Sequence, residues 1–577
     1  MESFNLWSAL GKPRNGNEYD NMRRDKLEYK HAIRTKESLS ANQFSDSLND
    51  ALLCKDMESF WRSWRSKFST KQCPAVIDNF CDEKDIADRF ATVFQSVCVP
   101  NSVERHEQLC SKFHERFSQY SGGTTHDTID VELVQQCIHG LKKGKAAGVD
   151  GITTEHVNLA HPILVVHLSL LFNILYKHSM VPDDFGRGIV IPLLKNSDGN
   201  KFTSDNYRGI TLSPIISKLF EMVMMKIFEK QLESDPLQFG FKQKSSCQHA
   251  LFSLKTIVDH YVKHGSTVNL CALDISKAFD RVDHYALLQL LMDRSLPRNF
   301  IGILLDWYTK CIACVRWGGA ISFWFCISAG VRQGGILSPV LFAIYMDILV
   351  NRLRMAGYGC KLLNVFYGCL LFADDIILLS HSVNAMRCML RVCYHFAVDF
   401  DIKFNCTKSV AMRIGCRYNA TCEPLELAGD TLKYVDSVKY LGVCLIASTY
   451  FKCSVDHVKV KFYRVFNCIF SRSKAANSEM VTVQLLKSYC LPLLLYGSEA
   501  VGLSATNMHI LENCINRAMY RIFGIGDHDN VWQLRQFLGL CSIRRLVECR
   551  RERFINGLIN SKKYDAVLQV MASNLCA

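Results

Sequence analysis

The 577-residue chain lacks the marks of several protein classes. Its opening residues, MESFNLWSALGKPRNG, hold no apolar core of the length a secretory signal needs. No apolar run is clean enough to cross a membrane, because the longest carry His161, His167 and His178, or the pair Asp374 and Asp375. The expectation is an intracellular protein, in cytoplasm or nucleus and not secreted. Internal repeats and low-complexity tracts are missing. Cysteine, at 26 residues, is too thinly spread for a disulfide scaffold, and Cys369 and Cys490 sit inside apolar runs as reduced, buried thiols do. Cys311-Ile312-Ala313-Cys314 has a spacing seen in zinc sites but no second pair, so core packing explains it better. The segment from His139 to Ala146 falls one residue short of a phosphate-binding loop and has no Ser or Thr after its lysine.

Charge is also sparse, at 21% of residues, against 49% apolar, which excludes a disordered chain and is enough to bury large cores. Lys and Arg exceed Asp and Glu by 68 to 55, a net +13 that leans only weakly towards nucleic acid.

Three regions are expected. Residues 1–127 read as a helical, basic N-terminal extension. The run Arg23 to Lys36 holds six Lys or Arg against two acids, and is either a solvated helix face or a phosphate-contacting arm. Ile86, Phe90, Val93, Phe94 and Val97 recur at helical spacing and read as core. The polar stretch Ser118 to Asp127 is the expected boundary. From 128 to 445 helices alternate with β-branched and aromatic runs, an α+β pattern; after 450 the pattern is helical again.

The sharpest chemical feature is Phe372-Ala373-Asp374-Asp375 inside VFYGCLLFADDIILLS. Two carboxylates amid apolar residues are costly to bury unless paired or bound to a cation. Flanking strands joined by a tight turn would hold them at the tip of a buried hairpin; taken alone, such a pair is most often just a turn. A second acid, Asp274, ends the apolar run VNLCAL and changes that balance, with Phe279 five residues beyond it. On neighbouring strands, Asp274, Asp374 and Asp375 would suffice to hold two magnesium ions about 4 Å apart, the arrangement of nucleotidyl transfer. Between the acids, SAGVRQGGILSP is a glycine-rich turn opening an apolar helix, in which Gln333 could bond a nucleotide; an ordinary loop is the plainer reading. Lys195 and Arg208 are cations in strand-like surroundings, suited to a triphosphate or to solvent, and Lys408 is a candidate proton donor to pyrophosphate.

In this order the runs GKAAGVDGI, IPLLK, NYRGITLSPIISKLFE, QFGFKQKSSCQHAL, LDISKAFDRVDH, GVRQGGILSPVLF, FADD, KFNCTKS and KYLGV resemble the reverse transcriptases of non-LTR (LINE-type) retrotransposons. The resemblance covers about residues 140–445. It implies an α+β right-hand polymerase: a reverse transcriptase domain of fingers and palm over 175–445, an upstream fingers extension from 128, and a helical thumb and C-terminal region over 446–577. It implies RNA-directed DNA synthesis with two Mg2+ ions (or Mn2+), an RNA template, a DNA primer and dNTPs. Asp274, Asp374 and Asp375 would be the metal ligands and Lys408 would stand near the leaving pyrophosphate. Phe279 would exclude a ribose 2′-hydroxyl, Gln333, Lys195 and Arg208 would meet the incoming nucleotide, and Tyr440, Leu441 and Gly442 would form the primer grip. Phe372 replaces the commoner Tyr, and Arg332 stands where many relatives have Pro. Nothing before residue 140 resembles the endonuclease such polyproteins carry, and no zinc knuckle follows, so the expected match is to the polymerase portion alone. A non-catalytic, nucleic-acid-binding relic is the alternative.

Overall fold

The computed structural model describes residues 2–68, 74–123, 128–195, 199–473 and 478–560, and it falls into two compact units. One is Cys73–Cys453 with Arg553–Ala577; the other joins Met1–Gln72 to Ser454–Glu552. The expected N-terminal extension of 1–127 is thus divided between them.

In the larger unit, two sheets position the chemistry. The first pairs Arg187–Leu194 with Tyr207–Leu212 antiparallel and with Ile312–Trp317 parallel. Helix Glu83–Val97 packs against it, burying Ile86, Ala87, Phe90 and Ala91 on one stripe against Val190, Tyr207, Ala313, Val315 and Trp317. Asp82 caps that helix by accepting from the backbone N–H of Lys84 at 2.9 Å, replacing a partner the first turn lacks. Val93 and Phe94, expected on the same stripe, are half-buried.

The second sheet has the order Leu425–Leu427, Asp430–Tyr434, Val410–Ile414, Val268–Leu273, Asp375–Ser380, Cys369–Phe372. Val268–Leu273 lies in its interior, and Val268, Leu270, Cys271 and Leu273 are all buried together with Asn269, which donates to the Ser380 carbonyl, so this strand reads as apolar on both faces but for one satisfied amide. Helix Cys247–Lys263 packs on Val268–Leu273 and Cys369–Phe372, and Val383–Asp399 packs on Asp375–Ser380.

The stretch expected as a boundary is anchored over its described part. Arg298 donates to the carbonyl of Tyr120 at 2.6 Å, and the Tyr120 hydroxyl donates to the carbonyl of Leu296 at 2.7 Å. A Cβ at Gly123 would lie 2.1 Å from the Ser295 carbonyl oxygen, so this chain crossing requires glycine. Residues 124–127 of that stretch lie outside the described residues, as do 561–577 of the C-terminal region.

The smaller unit is helical. Phe60 and Trp64, four residues apart on Met57–Phe68, enter one core with Phe462, Phe466, Leu485, Leu511, Met519 and Ile543. On the long helix Asn17–Leu53, every residue from Arg23 to Lys36 is exposed. Among the described residues no helix is long and apolar enough to cross a membrane.

Candidate active site

The strands Cys369–Phe372 and Asp375–Ser380 form a hairpin in which Phe372 pairs with Asp375, leaving Ala373 and Asp374 as a two-residue turn. Ala373 takes a φ of 58°, which costs an L-residue about 1–2 kcal/mol. The neighbouring strand Val268–Leu273 runs antiparallel, with Leu273 opposite Ile376. One step further brings Asp274 opposite Asp375, so the acids separated by a hundred residues end at the same edge of one sheet.

Asp274 is fixed from the other side by the turn that carries Lys408. Its backbone N–H donates to Ser409 Oγ at 3.1 Å, and its carbonyl accepts from the Asn405 N–H at 2.8 Å. Lys408 Nζ stands 3.8 Å from Asp274 Oδ2.

Burial pushes the Asp375 carboxyl up to about 6, with Asp374 and Asp274 adding repulsion and Arg208 opposing it. Burial also raises Asp374, Arg208 pulls it down, and Asp274 pushes it up again. A cluster of carboxylates in which Asp274 adds repulsion to both Asp374 and Asp375 fits a hard dication, whose charge would relieve that repulsion. Among the described residues no group of three or more His, Cys, Asp or Glu side chains is arranged to hold a metal ion unaided. Magnesium is normally held by one or two carboxylates with water and substrate phosphate oxygens completing its shell, so a closed protein cage is not required.

The cations converge near these acids. Burial lowers the Lys195 pKa first, and Arg208, Lys277 and Lys408 lower it further, which places Lys195 within electrostatic reach of all three. Lys195 Nζ donates to the Asp205 carbonyl at 2.6 Å. Arg208 is exposed on Tyr207–Leu212, opposite Leu193.

Phe279 sits in the short helical turn Ala278–Arg281. Its ring stacks on the buried Phe342 with centroids 4.3 Å apart and meets Phe241 edge-on at 5.6 Å. The Val331 N–H donates to the Phe279 carbonyl and the Thr211 N–H to the Gln333 carbonyl, at 2.8 and 2.7 Å. A Cβ at Gly330 would lie 2.7 Å from the Asp280 backbone, which accounts for one glycine of this loop. Gln333 Nε2 donates to Asp280 Oδ1 at 2.7 Å, so the amide expected to face a nucleotide has a partner within the protein.

Tyr440 pairs with Val443, and Leu441 and Gly442 both take positive φ, 44° and 81°, as a two-residue hairpin turn requires. The Tyr440 ring is buried, and its hydroxyl pKa is raised by burial and then by Asp375. Only Gly442 of the expected primer grip is exposed.

Two supports escaped the sequence reading. The fully buried Gln238 bonds the backbone of Ala373, and the buried Glu221 accepts from the backbone N–H of Leu337 at 2.9 Å and from that of Ile336, just ahead of helix Ser338–Ala356. An amide beside two aromatics and a carboxylate inside the apolar stripe IISKLFEMVMM were the available signals.

Residues 194–445 match the reverse transcriptase (RNA-dependent DNA polymerase) family. The mixed helical and sheet architecture agrees with the expected α+β class. Among curated proteins, the RNA-directed DNA polymerase from mobile element jockey of Drosophila funebris is 26% identical over 396 residues, 66% of this chain and 42% of its own length. A Pol polyprotein from the type-1 retrotransposable element R2 of Popillia japonica is 25% identical, covering 70% of this chain and 56% of the relative. The probable RNA-directed DNA polymerase from transposon X-element of Drosophila melanogaster is 27% identical, covering 65% and 42%. The chain thus spans about half the length of these curated relatives, or less. Among solved structures, telomerase from Candida albicans with a fragment of telomeric RNA superposes with a TM-score of 0.39 at 10% identity, over 87% of this chain and 93% of that one.

Proposed function

We propose, taking residues 194–445 as a reverse transcriptase domain of the non-LTR retrotransposon type, that the chain copies RNA into DNA from a DNA primer. The observation that carries the reading is the placement of Asp274 opposite Asp375, with Asp374 in the adjoining turn, inside the segment that matches the family.

Asp274, Asp374 and Asp375 would hold magnesium, which when bound activates an attacking 3′-hydroxyl and stabilises departing pyrophosphate. The chain's own residues supply the remainder. Lys195 and Arg208 meet the triphosphate charge, and the repulsion Lys195 feels from Arg208, Lys277 and Lys408 favours an anion beside it. Lys408, beside Asp274 and largely exposed, is placed to donate a proton to the leaving group. Phe279, braced by Phe342, closes off the space a ribose 2′-hydroxyl would need. Gln333 acts through its bond to Asp280, holding the glycine-rich loop against the Phe279 turn. The Leu441-Gly442 turn contacts the primer, with Tyr440 as its buried root.

The test is primer extension by the purified chain on an RNA template with a DNA primer, dNTPs and magnesium, beside an Asp374→Ala, Asp375→Ala variant. Extension by the parent and none by the variant supports the reading. Equal binding of the hybrid by both, with extension by neither, overturns it.

A further inference from the structure

The turn that carries Asp374 is held from outside its own hairpin. Residues 237–239 run beside Cys369–Phe372: the Phe239 N–H donates to the Leu371 carbonyl at 2.8 Å, and the Leu371 N–H donates to the Leu237 carbonyl at 2.9 Å. This register delivers Gln238, which is 0% exposed, to the turn. Gln238 Oε1 accepts from the Ala373 N–H at 3.0 Å and from the Gly240 N–H at 3.0 Å, and its Nε2 donates to the Ala373 carbonyl at 3.4 Å. Both ends of this one amide therefore serve Ala373, the residue in the left-handed conformation. Gly240 allows the approach, since a Cβ there would lie 2.4 Å from the Ala373 nitrogen, a backbone atom that cannot swing aside. The next residue, Phe241, meets the Phe279 ring edge-on.

We propose that Gln238–Phe241 is a strap that sets the carboxylate turn through Gln238 and Gly240 and braces Phe279 through Phe241, with Gln238 as a positioning residue. The proposal rests on the polymerase reading for its consequence in synthesis but not for its geometry. Without the Gln238 amide, the Ala373 N–H and carbonyl are buried without partners, and the turn relaxes towards a φ that moves the Asp374 carboxylate.

Full-length Gln238→Met, close in volume but without hydrogen bonds, is compared with Gln238→Glu, which keeps the accepting oxygen. Hydrogen exchange at the Ala373 amide is read directly, Mn2+ binding is followed by electron paramagnetic resonance, and kcat and KM are taken from extension. In Gln238→Met the Ala373 amide is expected to exchange about tenfold to a hundredfold faster, with Mn2+ affinity and kcat falling by a similar factor. KM for dNTP and affinity for the hybrid stay near the parent values, and Gln238→Glu, which keeps the acceptor but loses the donor to the Ala373 carbonyl, recovers only part of the loss. Unchanged exchange at Ala373 in Gln238→Met overturns the strap, as does a loss carried by KM alone. Should Gln238→Met fail to fold, Gly240→Ala is expected to speed exchange at the same amide, and no change there overturns it equally. If the parent chain makes no DNA, Ala373 exchange still decides the strap, so the two readings fail separately.

Discussion

Asp274 and Asp375 face one another one step beyond the Leu273–Ile376 pair, on strands whose pairs are apolar as far as Leu270–Leu379 and turn polar only at Asn269–Ser380, the far end. A charge at that edge has only three escapes: solvent, a proton or a cation. Asp375 keeps access to solvent, yet its carboxyl and that of Asp374 are raised, so a proton or a cation is favoured there as well.

The first prediction concerns pH. In the metal-free protein the Asp375 carboxyl, pushed up to about 6 from an ordinary 3.8, binds its proton more tightly folded than unfolded. Stability from this group is therefore fully present below pH 4, declines between 4 and 6 and stays low above. Asp375→Asn should melt higher than the parent at pH 7.5 with the gap closing near pH 4, and magnesium should stabilise the parent but not the variant. A gap independent of pH would remove the repulsive-site account.

Phe279→Ala opens the space beside Phe342. The ratio of kcat/KM for dNTP over rNTP should fall by about tenfold to a hundredfold. Unaltered rejection of ribonucleotides would take the role from Phe279.

Glu221 is buried and satisfies two backbone N–H groups at the start of helix Ser338–Ala356. Glu221→Ala leaves both without a partner and should cost about 2–4 kcal/mol in urea unfolding. Glu221→Gln, which keeps one acceptor oxygen, should cost less, and equal losses would point to packing instead.

Arg208 offsets the carboxylates and repels Lys195. Arg208→Ala should raise KM for dNTP about tenfold, the value of one charge-assisted contact, with little change in hybrid affinity. A fall confined to hybrid affinity would move Arg208 from the triphosphate to the template.

Neutralising Arg23, Arg24 and Lys26 should weaken hybrid binding and flatten the slope of log affinity against log salt by about one per lysine or arginine that touches phosphate. An unchanged slope would return that exposed helix to the role of a solvated face.

What the sequence made legible was the feature with few physical alternatives. Acids inside apolar runs at 274 and 374–375 were expected at a strand end and a tight turn, and the sheet has Asp274 just past one strand, Asp375 at the start of another and Asp374 in the turn. The supports were not legible, because each depends on a distant partner: Gln238 reaches residue 373, and Glu221 reaches 336 and 337. Gln333 pointed to a nucleotide on its surroundings in sequence, while Asp280, 53 positions earlier, takes its amide. Helical stripes in 1–127 announced burial without saying in which core. Phe60 and Trp64 enter one unit, Phe90 and Ile86 the other.

That shared core has a consequence for the order of synthesis. Residues 48–64 leave the ribosome long before Phe462, Phe466 and Leu485, with which they pack, because Cys73–Cys453 must be translated in between. At about 5–20 residues per second this is a delay of roughly 20–80 s. Phe60 and Trp64 spend that interval without their partners, so a chaperone that binds nascent apolar segments should be found on the early helices while Cys73–Cys453 is already folding.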